Sequence, residues 1–332
     1  MEFTEPLFER SIGRPRTRHT ILLIALILYG AALLVGALEY GMDSLFAEGH
    51  WRGLLVGPTV ILYVLLIAPR LTKMENEVID AILPLAELNG EPSDALASAS
   101  PSMDPQRELG AIAFGLLGGA IIVAAYGGLT LDWVTVYGLI LTPAMLGLLS
   151  WTVYASVVSI RVTAALLQQP LSVDVLNLGP FKVVGRSSLY LALAFVGGVT
   201  IALVFSAPDA SVLLTLEFWL INGPMFLMPV MIFFWNMHPT HKIIASAKEA
   251  ELEDLRHLMR SLSVRLLEGI RETEGASEVT AEIQALIAYE KRLEQVQTWP
   301  YDVSTLRSLV VSVLVPGVTV LAQVAVRRLL GG

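Results

Sequence analysis

The stretch LLTLEFWLINGPMFLMPVMIFFW, residues 213–235, contains Glu217, the one carboxylate that lies inside an apolar segment of this chain. Asn222 adds an amide five residues later. Pro224 is expected to loosen the helix, because proline has no N–H to donate to the carbonyl one turn earlier. A carboxylate near carbonyl groups that lack a donor has the composition of a cation site. Glu217, Asn222 and Pro224 are therefore the candidate ion site.

The depth of Glu217 in the membrane decides between this interpretation and two simpler ones. A helix that enters near Val212 places Glu217 about 8 Å below the boundary, where a long side chain reaches back to water. Trp219 beside it is typical of the aromatic belt at a membrane surface. We expect an interfacial Glu217, ahead of an ion or proton site and of a buried structural hydrogen bond. On this interpretation Glu217→Gln leaves any conductance unchanged.

Motifs for enzymatic chemistry are absent from the sequence, which has no phosphate-binding glycine loop, no His-Glu-x-x-His, no Gly-x-Ser-x-Gly and no calcium loop. It also has no cysteine, which removes thiolate catalysis and Cys-ligated metals. His238 and His241 flank a proline, which favours an interfacial or capping role over a metal site. The carboxylates between Glu75 and Glu91 lack ligand spacing and are expected to be solvated. We expect no enzyme activity, no metal and no cofactor.

The elements that must position these residues are membrane helices. Hydrophobic residues make up 55% of the 332-residue chain and charged residues 16%, which is too apolar for an ordinary soluble domain. Seven stretches approach the roughly 20 apolar residues that cross a bilayer. They are 21–38, 52–69, 109–129, 133–160, 189–205, 212–235 and 308–326. The sequence therefore predicts an all-α polytopic bundle of about seven transmembrane helices, with the bilayer as its first partner and no basic face for nucleic acid.

Positive charge predicts the orientation. Placing the arginines before the first helix in the cytoplasm puts 19 of the 22 Lys and Arg residues inside, with Arg52, Arg327 and Arg328 outside. The first apolar run is longer than a signal-peptide core, so we expect a retained helix. The last run is expected to cross, although a turn at Pro316 and Gly317 would make it re-entrant. We expect an integral protein of a cell or inner membrane with a cytoplasmic N-terminus.

Small residues at four-residue spacing are expected to bring helices together, since lipid is as apolar as leucine and close packing must drive association. Gly115 and Gly119 form one such set, and Ala194 and Gly198 form another. Each set fits a seam between two copies or ordinary packing within one bundle. We expect ordinary packing.

Polar connections divide the chain into four parts. They are a cytoplasmic tail at 1–20, a six-helix bundle at 21–236 that includes an amphipathic and linker segment at 71–107, a cytoplasmic helical hairpin at 237–304 and a membrane helix at 305–332. Residues 74–88 are predicted to form a short helix interrupted by Pro84, lying along the membrane or on a neighbour. In the connection at 161–188, Asp174 and Asn177 are expected to form turns rather than to bind a ligand.

Two apolar seams predict the hairpin. Pro239 is expected to end the sixth membrane helix, because proline cannot continue the hydrogen-bond ladder, and Thr240 to cap a new helix. The first seam has coiled-coil spacing of three and four. Its residues include Leu252, Leu255, Met259 and Leu262. A second seam runs from Val279 to Val296 on a shorter helix, so we expect uncovered residues of the first seam to form an assembly surface, with Glu253 and Arg256 on a solvated outer side.

Two classes of function fit this organisation. The first is a non-enzymatic membrane scaffold or signalling component, which uses the hairpin at 240–298 to assemble with a second copy or with a cytoplasmic protein. The second is an oligomeric ion channel or transporter with a cation-attracting site at Glu217. Transport is favoured by several polar groups inside the membrane or by broken segments repeated in two halves of the chain, and the sequence has neither. We therefore expect the scaffold.

Overall fold

The computed structural model describes residues 18–85, 105–127, 132–167, 173–206, 216–272, 276–299, 301 and 303–329. Within these residues the chain is all-helical, with nine α-helices, a short 3-10 turn at Leu83–Leu85 and no β-strand. The helices are α1 (Arg18–Tyr40), α2 (Met42–Ala47), α3 (Trp51–Ile82), α4 (Pro105–Gly127), α5 (Trp133–Leu167), α6 (Gly179–Ser206), α7 (Leu216–Glu272), α8 (Ala276–Glu294) and α9 (Val303–Leu329). The tail before Arg18 and most of the predicted linker lie outside the described residues.

Among the described residues, five helices are long and apolar enough to cross a membrane. They are α1, α3, α4, α5 and α6, which overlap the first five predicted stretches. This length and composition are those of helices that span a membrane. α7 begins inside the sixth stretch, and the apolar part of α9, Leu306–Thr319, is shorter than the others. The sixth and seventh crossings stay predictions. α9 continues through Pro316, so the alternative of a turn at that proline is wrong.

α3 is one helix of 32 residues that includes Pro58 and Pro69. The prediction of a separate helix after residue 74 is therefore wrong, although the α-helix does end at Ile82 and Pro84 lies in the 3-10 turn that follows. Pro58 has no N–H for the Leu54 carbonyl, and the Tyr137 hydroxyl of α5 donates to that oxygen instead, at 3.2 Å. A neighbouring helix thus replaces the lost hydrogen bond, which is how proline is tolerated inside membrane helices.

α7 runs for 57 residues without ending at Pro239, so the predicted helix boundary there is wrong. Phe233, Met237 and Ile244 are fully buried on both sides of the proline. The close packing of these three side chains offsets the roughly 3 kcal/mol that proline costs in a helix. Thr240 lies inside the helix with a buried hydroxyl that has no hydrogen-bond partner among the described residues. It does not cap a new helix.

Neighbouring helices of the bundle approach each other closely at glycine residues. A Cβ added at Gly115 or Gly119 of α4 would lie less than 3.0 Å from backbone atoms of α5. The two predicted packing residues of α4 therefore lie against a helix of the same chain. In α6, the hydroxyl of Tyr63 from α3 donates to the Ala194 carbonyl at 2.7 Å and lies over Gly197. Gly198 is farther from that ring, so the closest approach is at Gly197.

The main apolar cluster lies where α3 and α5 end, α6 and α9 begin, and α7 passes between them. We call it the junction cluster. Its buried members are Val78, Ile82, Leu166, Leu167, Phe181, Val184, Ala192, Phe233, Met237, Ile244 and Leu309. Val78 and Ile82 come from the segment predicted to be amphipathic, and they bury their apolar side on neighbouring helices. The junction cluster joins α7 to α3, α5, α6 and α9.

Candidate functional site

The predicted ion site falls in the first turns of α7. The side chains of Glu217, Asn222 and Pro224 lie outside the part of the chain that the structure describes. The assignment of Glu217 to an interfacial or an ion-binding role therefore stays a prediction. No group of three or more His, Asp or Glu side chains among the described residues is arranged to hold a metal ion.

The polar half of α7 contacts α8 through an apolar cluster. Leu255 of α7 and Leu293 of α8 are buried together with Val175 from the loop before α6. Four partly buried residues of the two helices surround them. These are Ala247, Leu252, Leu286 and Tyr289, and Val296 follows just after α8. The stripe predicted from Val279 to Val296 includes the α8 side of this cluster. Val175 adds a third element that seam spacing alone did not indicate.

Charged side chains fix the two helices in one alignment. Lys248 of α7 donates from Nζ to the carbonyl oxygens of Glu294 at 2.7 Å and Val296 at 2.9 Å, at the carboxyl end of α8. A cation there is favourable, because the last carbonyls of a helix lack N–H partners and carry partial negative charge. Arg256 lies 3.1 Å from a Glu290 carboxylate oxygen and 3.8 Å from one of Glu294. Arg256 is 53% exposed, as expected for a solvated side, and it also bridges to α8.

Tyr289 and Glu251 form a further link between α7 and α8. The Tyr289 hydroxyl donates a hydrogen bond to the Glu251 carboxylate. This bond to a carboxylate raises the pKa of Tyr289, with desolvation and the negative charges of Glu251 and Asp174 acting in the same direction. The neutral phenol is thus the form that this contact favours.

The predicted assembly residues are largely covered by the chain itself. Leu255 is 8% exposed and Leu262 6% exposed, and Leu252 packs against the cluster with α8. The expectation that Leu252 and Leu255 lie uncovered is therefore wrong, since α8 and the Val175 loop occupy the seam. Met259 is partly buried. The apolar residues that do face outward on this half of α7 are Leu258, Val264 and Leu267.

Aromatic stacking joins α7 to the segment before α9. The His241 ring stacks on Trp299 with 4.0 Å between ring centroids and an interplanar angle of 4°. His241 Nδ1 also lies 3.2 Å from the Thr298 carbonyl oxygen. Tyr301 lies against Phe233, at 5.6 Å between centroids. The His241 ring thus positions the chain that leads into α9, and its interfacial or capping role stays a prediction.

Buried polar groups lie beside the junction cluster, and sequence reasoning missed them. Asn236 of α7 donates from Nδ2 to Ser188 Oγ of α6 at 2.7 Å, and Ser188 donates to the Val184 carbonyl at 2.9 Å. A cavity of about 20 Å³ next to Asn236 is also lined by Glu75 and Thr163. This is room for about one water molecule. Such a satisfied polar pair holds two helices together in an apolar bundle.

Glu108 is a second polar residue whose position the sequence did not indicate. It is 3% exposed, at the start of α4. Its carboxylate accepts a hydrogen bond from Trp151 Nε1 of α5 at 3.0 Å. The only signal in the sequence is its place at the edge of an apolar run, and that signal does not reveal its partner. Glu108 and Trp151 add a polar link to the glycine contacts between α4 and α5.

The predicted turn residues before α6 are confirmed. Asp174 Oδ1 accepts a hydrogen bond from the Leu176 N–H at 2.9 Å, and Asn177 Oδ1 accepts one from the Gly179 N–H at 3.3 Å. These bonds are side-chain turns of the kind that Asp and Asn form. They hold Val175 in its position against Leu255 and Leu293.

Comparison with known proteins gave no match, since no protein-family model, curated protein or solved structure matches this chain.

Proposed function

We propose that the protein is a multi-pass membrane scaffold or signalling component. Its assembly element is the antiparallel hairpin made by the polar half of α7, from Thr240 to Glu272, together with α8. We call this unit the assembly arm. The arm lies in the cytoplasm and binds a second copy of the chain or another protein. The reaction chemistry of an enzyme plays no part in this function.

The observation that carries the proposal is the continuity of α7. One helix passes from the junction cluster into the assembly arm without a break. Lys248, Arg256 and Tyr289 then hold α8 against it. A surface that is rigidly joined to the membrane bundle is presented in one orientation, and a fixed orientation lowers the entropy cost of binding.

The distribution of the helix ends supports the cytoplasmic placement. The junction cluster collects residues from the connections at 70–107, 161–188 and 237–307, which positive charge predicts to be inside. Residues of the connection at 39–51, which is predicted to be outside, form another cluster, where Leu45 packs with Tyr40, Trp51 and Val134 at the start of α5. The contacts therefore separate the connections in the same way as the basic residues do.

The assembly surface that we propose contains Val264 and Leu267. They are 56% and 65% exposed, and residues three apart on a helix lie on one side. Their position on a helix that α8 holds in place makes them available to contact another apolar surface. They replace Leu252 and Leu255 in this role, because those two are covered by α8.

The experiment uses the full-length protein purified in detergent. We expect light scattering, with the detergent contribution subtracted, to give the mass of an oligomer. The double variant Val264→Asp and Leu267→Asp is expected to give the monomer mass with unchanged helix content by circular dichroism. Carboxylates on this surface repel each other and lose the apolar contact.

The matched control places the same two charges on the exposed side of α8. Gln284 and Ala288 are exposed, and Gln284→Asp with Ala288→Asp is expected to keep the oligomer. A monomeric wild-type chain, or equal dissociation of both double variants, would contradict self-assembly through this surface.

A further inference from the structure

The end of the bundle opposite the junction cluster contains a groove of about 750 Å³ between α3 and α5. Its size is that of a site for a small molecule or a lipid chain. The groove has two chemical zones. Tyr40, Glu48, His50 and Arg52 lie at one end, and apolar residues that include Val56, Leu141 and Met145 line the rest. It is therefore amphipathic along its length.

The charged side chains at the polar end of the groove favour the binding of an anion. Glu48 is already engaged, since its carboxylate lies 2.9 Å from His50 Nε2, and the His50 ring stacks on Tyr40. Arg52 lies over the Trp51 ring and has no carboxylate within ion-pair distance among the described residues. A guanidinium with several free N–H donors matches the geometry of a phosphate group.

The polar end also lies at the depth of lipid headgroups. Trp51 and Trp133 begin α3 and α5, and Tyr40 ends α1. Aromatic residues at the ends of apolar helices form the belt that marks the membrane interface. From Val134 to Met145 the lining of α5 extends over about 16 Å. A phosphate at Arg52 thus places an acyl chain of the same molecule along the apolar zone.

We propose that this groove binds an anionic membrane phospholipid, with its phosphate on Arg52 and one acyl chain between α3 and α5. Gly53 leaves space for the chain, since an added Cβ would meet no atom within 4 Å. The acyl chain fills the apolar zone, and the phosphate supplies a negative charge beside Arg52. The proposal does not depend on the scaffold function or on the assembly arm.

The test measures lipid binding to the full-length protein by native mass spectrometry. Phosphatidylglycerol and phosphatidylcholine with identical acyl chains are compared. We expect the wild-type protein to prefer phosphatidylglycerol by about tenfold, because the choline cation of phosphatidylcholine offsets the negative charge of the phosphate that Arg52 contacts. Arg52→Gln is expected to abolish this preference, and Gly53→Leu to weaken binding of both lipids. Glycerol 3-phosphate, which has no chain, is expected to leave the bound lipid in place.

Two controls separate the groove from the general lipid surface. An added Cβ at Gly30 of α1 also meets no atom within 4 Å, so Gly30→Leu is expected to bind both lipids as the wild type does. Arg186 lies over the Tyr190 ring as Arg52 lies over Trp51, and Arg186→Gln is expected to keep the preference. Equal binding of the two lipids by the wild type would overturn the proposal. So would a preference that survives Arg52→Gln, which decides the question even if Gly53→Leu folds poorly.

Discussion

Tyr137 is a single side chain that allows a proline inside α3. Its hydroxyl takes the place of the N–H that Pro58 lacks, by donating to the Leu54 carbonyl. We expect Tyr137→Phe to lower the free energy of unfolding by about 1 kcal/mol, because a carbonyl in an apolar bundle loses its partner.

A double-mutant cycle isolates this effect. In Pro58→Ala the backbone N–H returns, so we expect Tyr137→Phe to cost clearly less in that background than in the wild type. Thermal unfolding in detergent, followed by circular dichroism, measures all four proteins. Equal costs in both backgrounds would show that the hydroxyl does not serve the proline.

Tyr289 gives the contact between α7 and α8 a dependence on pH. Its pKa is raised above the ordinary value by the hydrogen bond to Glu251, so the folded state favours the neutral phenol. The resulting stability is fully present below the ordinary tyrosine pKa of about 10. It is lost as the pH rises through the higher pKa of the folded state.

The variant Tyr289→Phe tests this linkage. We expect it to cost about 0.5 kcal/mol at about pH 8, a value reduced for exposure to solvent. The difference from the wild type should shrink as the pH rises through the raised pKa of Tyr289 in the folded protein. Hydrogen exchange of α8 amides measures the local stability. A stability cost of Tyr289→Phe that grows with pH would contradict this linkage.

At the scale of elements, α4 and α5 pack closely because glycines of α4 have no side chain at the contact. A Cβ at Gly119 would approach the Pro143 backbone to less than 3.0 Å. We expect Gly119→Ala to lower the free energy of unfolding by about 1–3 kcal/mol through overpacking. Gly118 is the matched control, since its added Cβ meets no atom within 4 Å.

Gly118→Ala is expected to be neutral or stabilising by up to about 1 kcal/mol, because alanine favours the helix. Both variants are compared by thermal unfolding in the same detergent. If Gly119→Ala were as well tolerated as Gly118→Ala, glycine would not be needed at the contact between α4 and α5.

The sequence predicted the elements better than their ends. The length of each apolar run is visible in the sequence, and it located α1, α3, α4, α5 and α6. The end expected at Pro239 was wrong, because the packing of Phe233, Met237 and Ile244 offsets the local cost of proline. Likewise, seam spacing found the apolar side of α8, but it could not show that the Val175 loop completes the seam.

Polar contacts between helices were the least predictable part of the candidate site. The bond from Asn236 to Ser188 joins residues 48 positions apart, and the bond from Trp151 to Glu108 joins residues 43 positions apart. Such pairs depend on which helices are neighbours, and periodicity along one helix does not contain that information. The turns at Asp174 and Asn177 were predictable, because their hydrogen bonds span only two residues.

At the scale of the whole molecule, two groups of connections meet at two places in the bundle. One is the junction cluster, from which α7 continues into the assembly arm. The other is the cluster around Leu45, beside the groove. We propose that these are the cytoplasmic and external sides of the membrane, because this arrangement places 19 of the 22 basic residues inside.

Cysteine labelling in intact cells tests this arrangement most directly, since the chain has no cysteine of its own. Asp43 and Gln284 are both exposed, Asp43 in α2 and Gln284 in α8. We expect a membrane-impermeant maleimide to label Asp43→Cys in intact cells, and to label Gln284→Cys only after the membrane is permeabilised. Labelling of Gln284→Cys in intact cells would contradict the account, because the assembly arm would then lie outside.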